Sequence, residues 1–242
     1  MQFIKIKTRP ILPPQDDLYK ILDQYLPPLQ NGDVLVITSK ILAIHQGRCV
    51  KISPEVDKDK LILQEADGHI PRSRVPDQMV ILTLKGNTLI PTSGIDESNG
   101  NGYYVLWPEK IQELCEEIWQ YLKNKNNLEQ LGIITTDSHT MPLRYGTVGT
   151  AIGFFGIEPL FDYRGKKDIF GRELKMTQAS VVEGLAATAV MLMGEGAEQT
   201  PMLLFRGLNF VQFTDQDVYA KSVIPPELDI YKPLLDAFQK DV

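Results

Sequence analysis

Met79-Val80-Ile81-Leu82-Thr83-Leu84-Lys85-Gly86-Asn87-Thr88-Leu89-Ile90 decides the fold class. Residues 79–84 are mostly apolar and read as a strand, and Lys85-Gly86-Asn87-Thr88 turns the chain back onto a partner at Leu89-Ile90. Strands joined by so short a turn must be antiparallel, because a parallel pair needs a crossover of a dozen or more residues. Outward from this hairpin, Val34-Leu35-Val36-Ile37-Thr38 and Leu131-Gly132-Ile133-Ile134-Thr135-Thr136 are nearly continuous apolar runs, which suit strands covered on both faces. Ser39 and Lys40 stand at the polar exit of the first run. Further strands are expected at 3–7, 47–52, within the glycine-rich stretch 146–156, and at 201–205.

Asp16 and Asp17 can cap a helix whose apolar face is Leu18, Ile21, Leu22 and Tyr25, and Pro27 and Pro28 stop it. Pro108 stands where a second helix begins, with a stripe of Ile111, Leu114, Cys115, Ile118 and Leu122. A third runs from Ser180 to Met193 and is broken by Gly194; terminal helical turns are expected over 216–240. Residues 53–78 show weak periodicity. Hairpins and buried strands with only a few long helices predict an α+β fold, with mixed and antiparallel sheets and packed helices. With 242 residues, 43% of them hydrophobic, the chain supports a single domain over 1–242, or two interlocked subdomains with a site between them.

The net charge of -6 leaves no diffuse basic face, so nucleic-acid binding is disfavoured and any phosphate must be held locally. Cys49 and Cys115 make neither a CxxC pair nor a zinc spacing; a disulfide between them is allowed but not required, and two free thiols is the simpler reading. The N-terminal residues lack a signal-peptide profile, and the apolar stretch 181–193 contains Glu183 and is too short for a bilayer span. A cytoplasmic protein without membrane contact is expected. His45, His69 and His139 are scattered, with no HExxH pair, and His45 reads as a satisfied side chain near a strand. GxSxG, GxGxxG and P-loop patterns are absent.

Three polar clusters interrupt the apolar elements. Thr92-Ser93-Gly94-Ile95-Asp96-Glu97-Ser98-Asn99-Gly100 is, by composition, an Asx-rich turn; it also presents a carboxylate where hard cations are held. Thr136-Asp137-Ser138-His139-Thr140 follows a buried strand, where Asp137 is either a helix cap or a second oxygen donor. Arg144, seven positions on, has the fork that clamps a carboxylate or phosphate, although loop arginines are commonly solvated. In Met193-Gly194-Glu195-Gly196-Ala197 the first glycine stops a helix, and the second leaves backbone N–H groups free to approach phosphate.

Gly94-Ile95-Asp96-Glu97-Ser98-Asn99, Thr136-Asp137-Ser138, Leu143-Arg144-Tyr145-Gly146-Thr147-Val148-Gly149, Asp168-Ile169-Phe170-Gly171-Arg172-Glu173-Leu174 and Leu192-Met193-Gly194-Glu195-Gly196 together resemble the gamma-glutamyl ligases of the deazaflavin coenzyme F420, in order and over nearly the whole chain. The resemblance implies that Asp96 and Asp137 bind one Mg2+ or Mn2+ ion and that Ser138 and Glu195 serve a second. It places Thr8, Arg9, Pro10, Ile11, Thr38, Ser39, Lys40, Asn99 and the 193–200 loop, with Met193, Gly194, Gly196 and Ala197, around GTP, and it implies a homodimer. The chain departs from the family pattern Ser-Lys-x-Glu-Gly-Arg at Ala43-Ile44-His45-Gln46-Gly47-Arg48, where Ile44 replaces a lysine and Gln46 an acid.

The chemistry implied is GTP-dependent amide formation. The nucleotide phosphorylates a carboxylate of the F420 precursor (F420-0), and the amine of L-glutamate displaces phosphate from the acyl phosphate. Two cations would neutralise the phosphoryl oxygens, with Asp137 and Arg144 as the catalytic side chains. The same ligation on another acceptor such as tetrahydrofolate, and a non-catalytic nucleotide-binding or structural relative, are the alternatives.

Overall fold

Along residues 34–37 the side chains alternate between two apolar layers, and this alternation organises the molecule. A computed structural model describes residues 1–238. In chain order its strands and helices are β1 (Gln2–Ile6), α1 (Leu18–Tyr25), β2 (Asp33–Thr38), α2 (Ser39–His45), β3 (Cys49–Lys51), α3 (Lys58–Glu65), β4 (Gly68–Ile70), β5 (Leu82–Lys85), β6 (Thr88–Pro91), β7 (Tyr103–Val105), α4 (Ile111–Asn126), β8 (Leu131–Thr140), β9 (Thr147–Phe155), β10 (Leu160–Asp162), β11 (Gln178–Ser180), α5 (Val181–Met193), β12 (Met202–Arg206) and α6 (Lys232–Leu235).

The main sheet has the order β1-β12-β2-β8-β9. Only β2 and β8 run parallel, in register from Asp33 opposite Leu131 to Thr38 opposite Thr136; the other pairs are antiparallel. Leu35, Ile37, Ile133 and Leu204 pack against α1, α2 and α4, while Val34, Val36, Ile134, Leu203 and Phe205 pack against α5. Helices on both faces explain the unbroken apolar runs, since every position from Val34 to Ile37 and from Leu131 to Thr136 is buried. Each fully buried Leu, Ile or Phe here contributes about 1.5–3 kcal/mol of transfer free energy. Between α2 and α4, a smaller assembly of α3, β3–β7 and the turns joining them buries Ile62, Ile81, Ile95, Tyr104 and Leu106.

The α+β class and its mixed sheets agree with the sequence. The hairpin is β5–β6, with Leu84 opposite Leu89, but its first strand starts at Leu82 because residues 76–78 form a 3-10 turn. Asp17 caps α1 through Lys20 N, and Ser180 caps α5. Three differences bear on the site. Ser39 and Lys40 open helix α2, which the hydrophobic pattern does not reveal. His45 ends that helix rather than flanking a strand, and its Nδ1 accepts the Leu18 N–H at 3.2 Å. Asp137 lies inside β8, which continues to Thr140, and caps no helix. Terminal helical turns occur at 219–221, 226–228 and 232–235; residues 239 and 240 of that expectation lie outside the described residues. Both cysteines are free. Among the described residues no helix is long and apolar enough to cross a membrane.

Candidate active site

Parallel β2 and β8 end side by side, so the residues after Thr38 meet those after Thr136. This is where ligands bind in sheets containing parallel strands. A register shift between Thr135 and Thr136, opposite Ile152 of β9, bends the pair as β8 leaves the core. A cleft of about 490 Å³ opens there. Its walls come from the segment after β1 (Thr8 to Ile11), the β2–α2 junction (Thr38 to Lys40), the loop after β6 (Gly94, Asp96, Asn99), β8 (Thr136 to Ser138) and the residues after α5 (Met193 to Pro201).

The Asp137 carboxylate is the hub. Oδ2 accepts from Ser39 Oγ at 3.0 Å and from Trp107 Nε1; Oδ1 accepts from the Ser138 N–H at 2.7 Å. Burial pushes its pKa up to about 6, against the three donors, and the Asp96 charge adds to the rise. Asp96 sits nearer the surface. Its burial also favours the neutral form, but Lys40 Nζ at 2.5 Å and the Ser98 donors outweigh this and hold it below the ordinary carboxylate range. Lys40 also donates to Ser98 O at 2.9 Å.

The far wall is a tight loop. Gly194 ends α5 at φ +86°, Gly196 N donates to Glu198 Oε2 at 2.8 Å, and Asn99 Nδ2 reaches across to Gly196 O at 3.0 Å. Glu195 is exposed on this loop and lines the cleft. Thr8 N donates to Gln199 O at 2.9 Å, tying the segment after β1 to the loop. The Arg9 guanidinium is paired with Asp16.

The donor set suits a hard divalent cation. Asp96, Asp137, Ser138 and Glu195 offer only oxygen, the preference of Mg2+ and Mn2+. Thr136 Oγ1, on the cleft wall, is buried without a hydrogen-bond partner, and such an orphaned oxygen normally has one. Among the described residues no three His, Cys, Asp or Glu side chains converge to hold a metal by themselves. Hydroxyl, water or phosphate oxygens would complete the shell, as is usual for Mg2+.

The family model for F420-0:gamma-glutamyl ligase matches residues 5–207. The chain belongs to the F420-0:gamma-glutamyl ligase family. It is similar to the coenzyme F420:L-glutamate ligase of Methanopyrus kandleri, 33% identical over 81% of this chain and 82% of that protein. The enzyme of the same name from Methanocaldococcus jannaschii is 31% identical over 81% and 82%, and that from Methanosarcina barkeri 29% identical over 99% and 98%.

The span matched by the ligase family contains the whole cleft. Of the residues singled out from sequence, Thr8, Arg9, Pro10, Ile11, Thr38, Ser39, Lys40, Asp96, Asn99, Asp137, Ser138, Met193, Gly194, Glu195, Gly196 and Ala197 all line it. Arg144 does not. It lies exposed in the turn between β8 and β9, and its Nη1 donates to Leu143 O at 2.8 Å.

The two departures from the ligase pattern have local reasons. Ile44 is buried beside Ala43 and Val105 and forms part of the cleft wall. Gln46 exchanges two hydrogen bonds with Glu109, donating to its carbonyl and accepting from its N–H, both at 2.9 Å; a carboxylate could only accept. Sequence reasoning missed Trp107, and it gave Thr136 no role of its own within its motif. Trp107 precedes a proline and belongs to no periodic stripe, so nothing local marked it.

Proposed function

We propose that this protein is a GTP- and divalent-metal-dependent ligase that joins the amine of L-glutamate to a carboxylate of F420-0 through an acyl phosphate. The observation that carries the reading is the meeting, in one cleft, of carboxylates from the β6–β7 loop and β8 with the glycine loop after α5. Their type and order are those expected of the family.

Asp96, Asp137, Ser138 and Glu195 would hold Mg2+ or Mn2+, which supplies Lewis acidity at the transferring phosphoryl group. The chain's own groups do the rest. The Gly196 N–H would receive a phosphate oxygen in place of the Glu198 carboxylate that it meets in the cleft, and Lys40 brings an ammonium that exchanges Asp96 for a nucleotide phosphate. Ser39 and Trp107 hold the Asp137 carboxylate in one orientation. Walls drawn from five chain segments limit water, which would otherwise hydrolyse the acyl phosphate before the amine attacks. We take the working form to be a cytoplasmic homodimer.

Phosphate release and product mass, followed with GTP, Mn2+, L-glutamate and F420-0 present or omitted one at a time, test the reading. It requires a product one glutamyl unit heavier, and release that needs all four components. Release indifferent to L-glutamate contradicts it. Tetrahydrofolate in place of F420-0 tests the acceptor, and ATP in place of GTP the base.

A further inference from the structure

Trp107 is 2% exposed and stands in a small core with Ile90 and Ile152, yet its indole N–H leaves that core to meet the Asp137 carboxylate. We propose that Trp107 is a positioning residue that fixes which oxygen of Asp137 faces the cation. The inference rests on the ligase reading.

Donor counting carries it. A carboxylate oxygen accepts about two hydrogen bonds along its lone pairs. On Oδ2 both are taken, by Ser39 Oγ and by Trp107. On Oδ1, among the described residues, the Ser138 N–H alone is engaged, so one lone pair stays open for a metal. Ser39 rotates freely about its Cβ–Oγ bond, whereas an indole N–H points along one fixed direction in a rigid ring. The ring itself is confined: a Cβ on Gly94 would lie 2.0 Å from Nε1, so the backbone at 94 closes one side. Outer partners of this kind orient ligating carboxylates, and their loss typically costs roughly 10–100-fold in metal affinity or activity.

The chain's two tryptophans give an internal control, because Trp119 Nε1 donates to Leu131 O at 2.8 Å and touches no part of the cleft. In the wild-type protein, Mg2+ should move the indole N–H resonance of Trp107 saturably and leave that of Trp119 in place, with Trp119→Phe supplying the assignment. Trp107→Phe keeps a ring in the core and removes the donor. It should bind Mn2+ roughly 10–100-fold more weakly and lose kcat, with the KM for L-glutamate unchanged. Wild-type Mn2+ affinity in folded Trp107→Phe overturns the proposal. If that variant does not fold, the wild-type titration decides: a stationary Trp107 resonance at saturating Mg2+ overturns it equally. A wild-type protein that binds no divalent cation removes the ligase reading and this inference together, whereas binding with no effect of Trp107→Phe removes the inference alone.

Discussion

Gly94 and Trp107 share one space: a β-carbon at residue 94 would stand 2.0 Å from the indole nitrogen and 2.4 Å from its Cδ1. With φ at +69°, residue 94 also has a backbone that L side chains avoid. The glycine therefore serves both the turn that presents Asp96 and the approach of Trp107 to Asp137. Gly94→Ala should cost about 2–5 kcal/mol, combining about 1–2 for a left-handed conformation with about 1–3 for overpacking. In urea the midpoint should fall with the slope unchanged; a fall worth only about 1–2 kcal/mol would show that the indole moves aside freely.

Asp137 sets a pH dependence of the metal-free protein. Its folded pKa of about 6 lies above the unfolded value near 3.8, so the native state holds its proton more tightly. This contribution is complete below the unfolded pKa and is lost as pH rises through 6. Between pH 4 and 7 the site should lose up to about 2–3 kcal/mol. Urea titrations at several pH values should show this fall for wild type and a smaller one for Asp137→Asn. Identical pH profiles for the two proteins would contradict the assignment.

The same substitution removes a charge from the centre of the cleft and preserves its shape. Asp137→Asn should therefore lose at least about 100-fold in glutamate-dependent phosphate release, as loss of one positioned electrostatic group does elsewhere. Its circular dichroism should match wild type. Undiminished release would exclude Asp137 from the chemistry.

Away from the cleft, Arg206 makes a two-pronged pair with the fully buried Asp33, at 2.8 and 2.7 Å, where β12 lies beside β2. Gln30 N supplies one more hydrogen bond to that carboxylate. Arg206→Ala leaves it without its counter-charge and should cost about 3–5 kcal/mol, read from denaturant unfolding. A change below about 1 kcal/mol, as for a surface pair, would mean that water reaches Asp33.

The central sheet was legible because helices cover both of its faces, leaving Val34 to Ile37 and Leu131 to Ile134 nowhere to be polar. The same covering concealed α2: beyond Thr38-Ser39-Lys40 a second apolar run, Ile41, Leu42, Ala43 and Ile44, follows, and a short apolar stretch has no period that separates strand from helix. In α3 only Ile62 is fully covered, so its sequence carries little amphipathic signal. The polar tail of β8, Asp137 to Thr140, looks like a loop because that part of the strand emerges from the core. Cleft residues on the glycine loop and beside the acids were recognisable from their motifs. Trp107 acts through a contact between distant segments, its indole meeting Asp137 thirty positions on, which local sequence does not encode.

Whether Asp96 and Asp137 share a cation beside the nucleotide is decided by anomalous diffraction from crystals grown with Mn2+ and a non-hydrolysable GTP analogue. The expected result is a manganese peak in the cleft with oxygens of both carboxylates at bonding distance, about 2.0–2.6 Å, and Lys40 turned from Asp96 toward phosphate. Nucleotide bound with no manganese between those carboxylates, and Lys40 still paired to Asp96, would refute the shared metal centre.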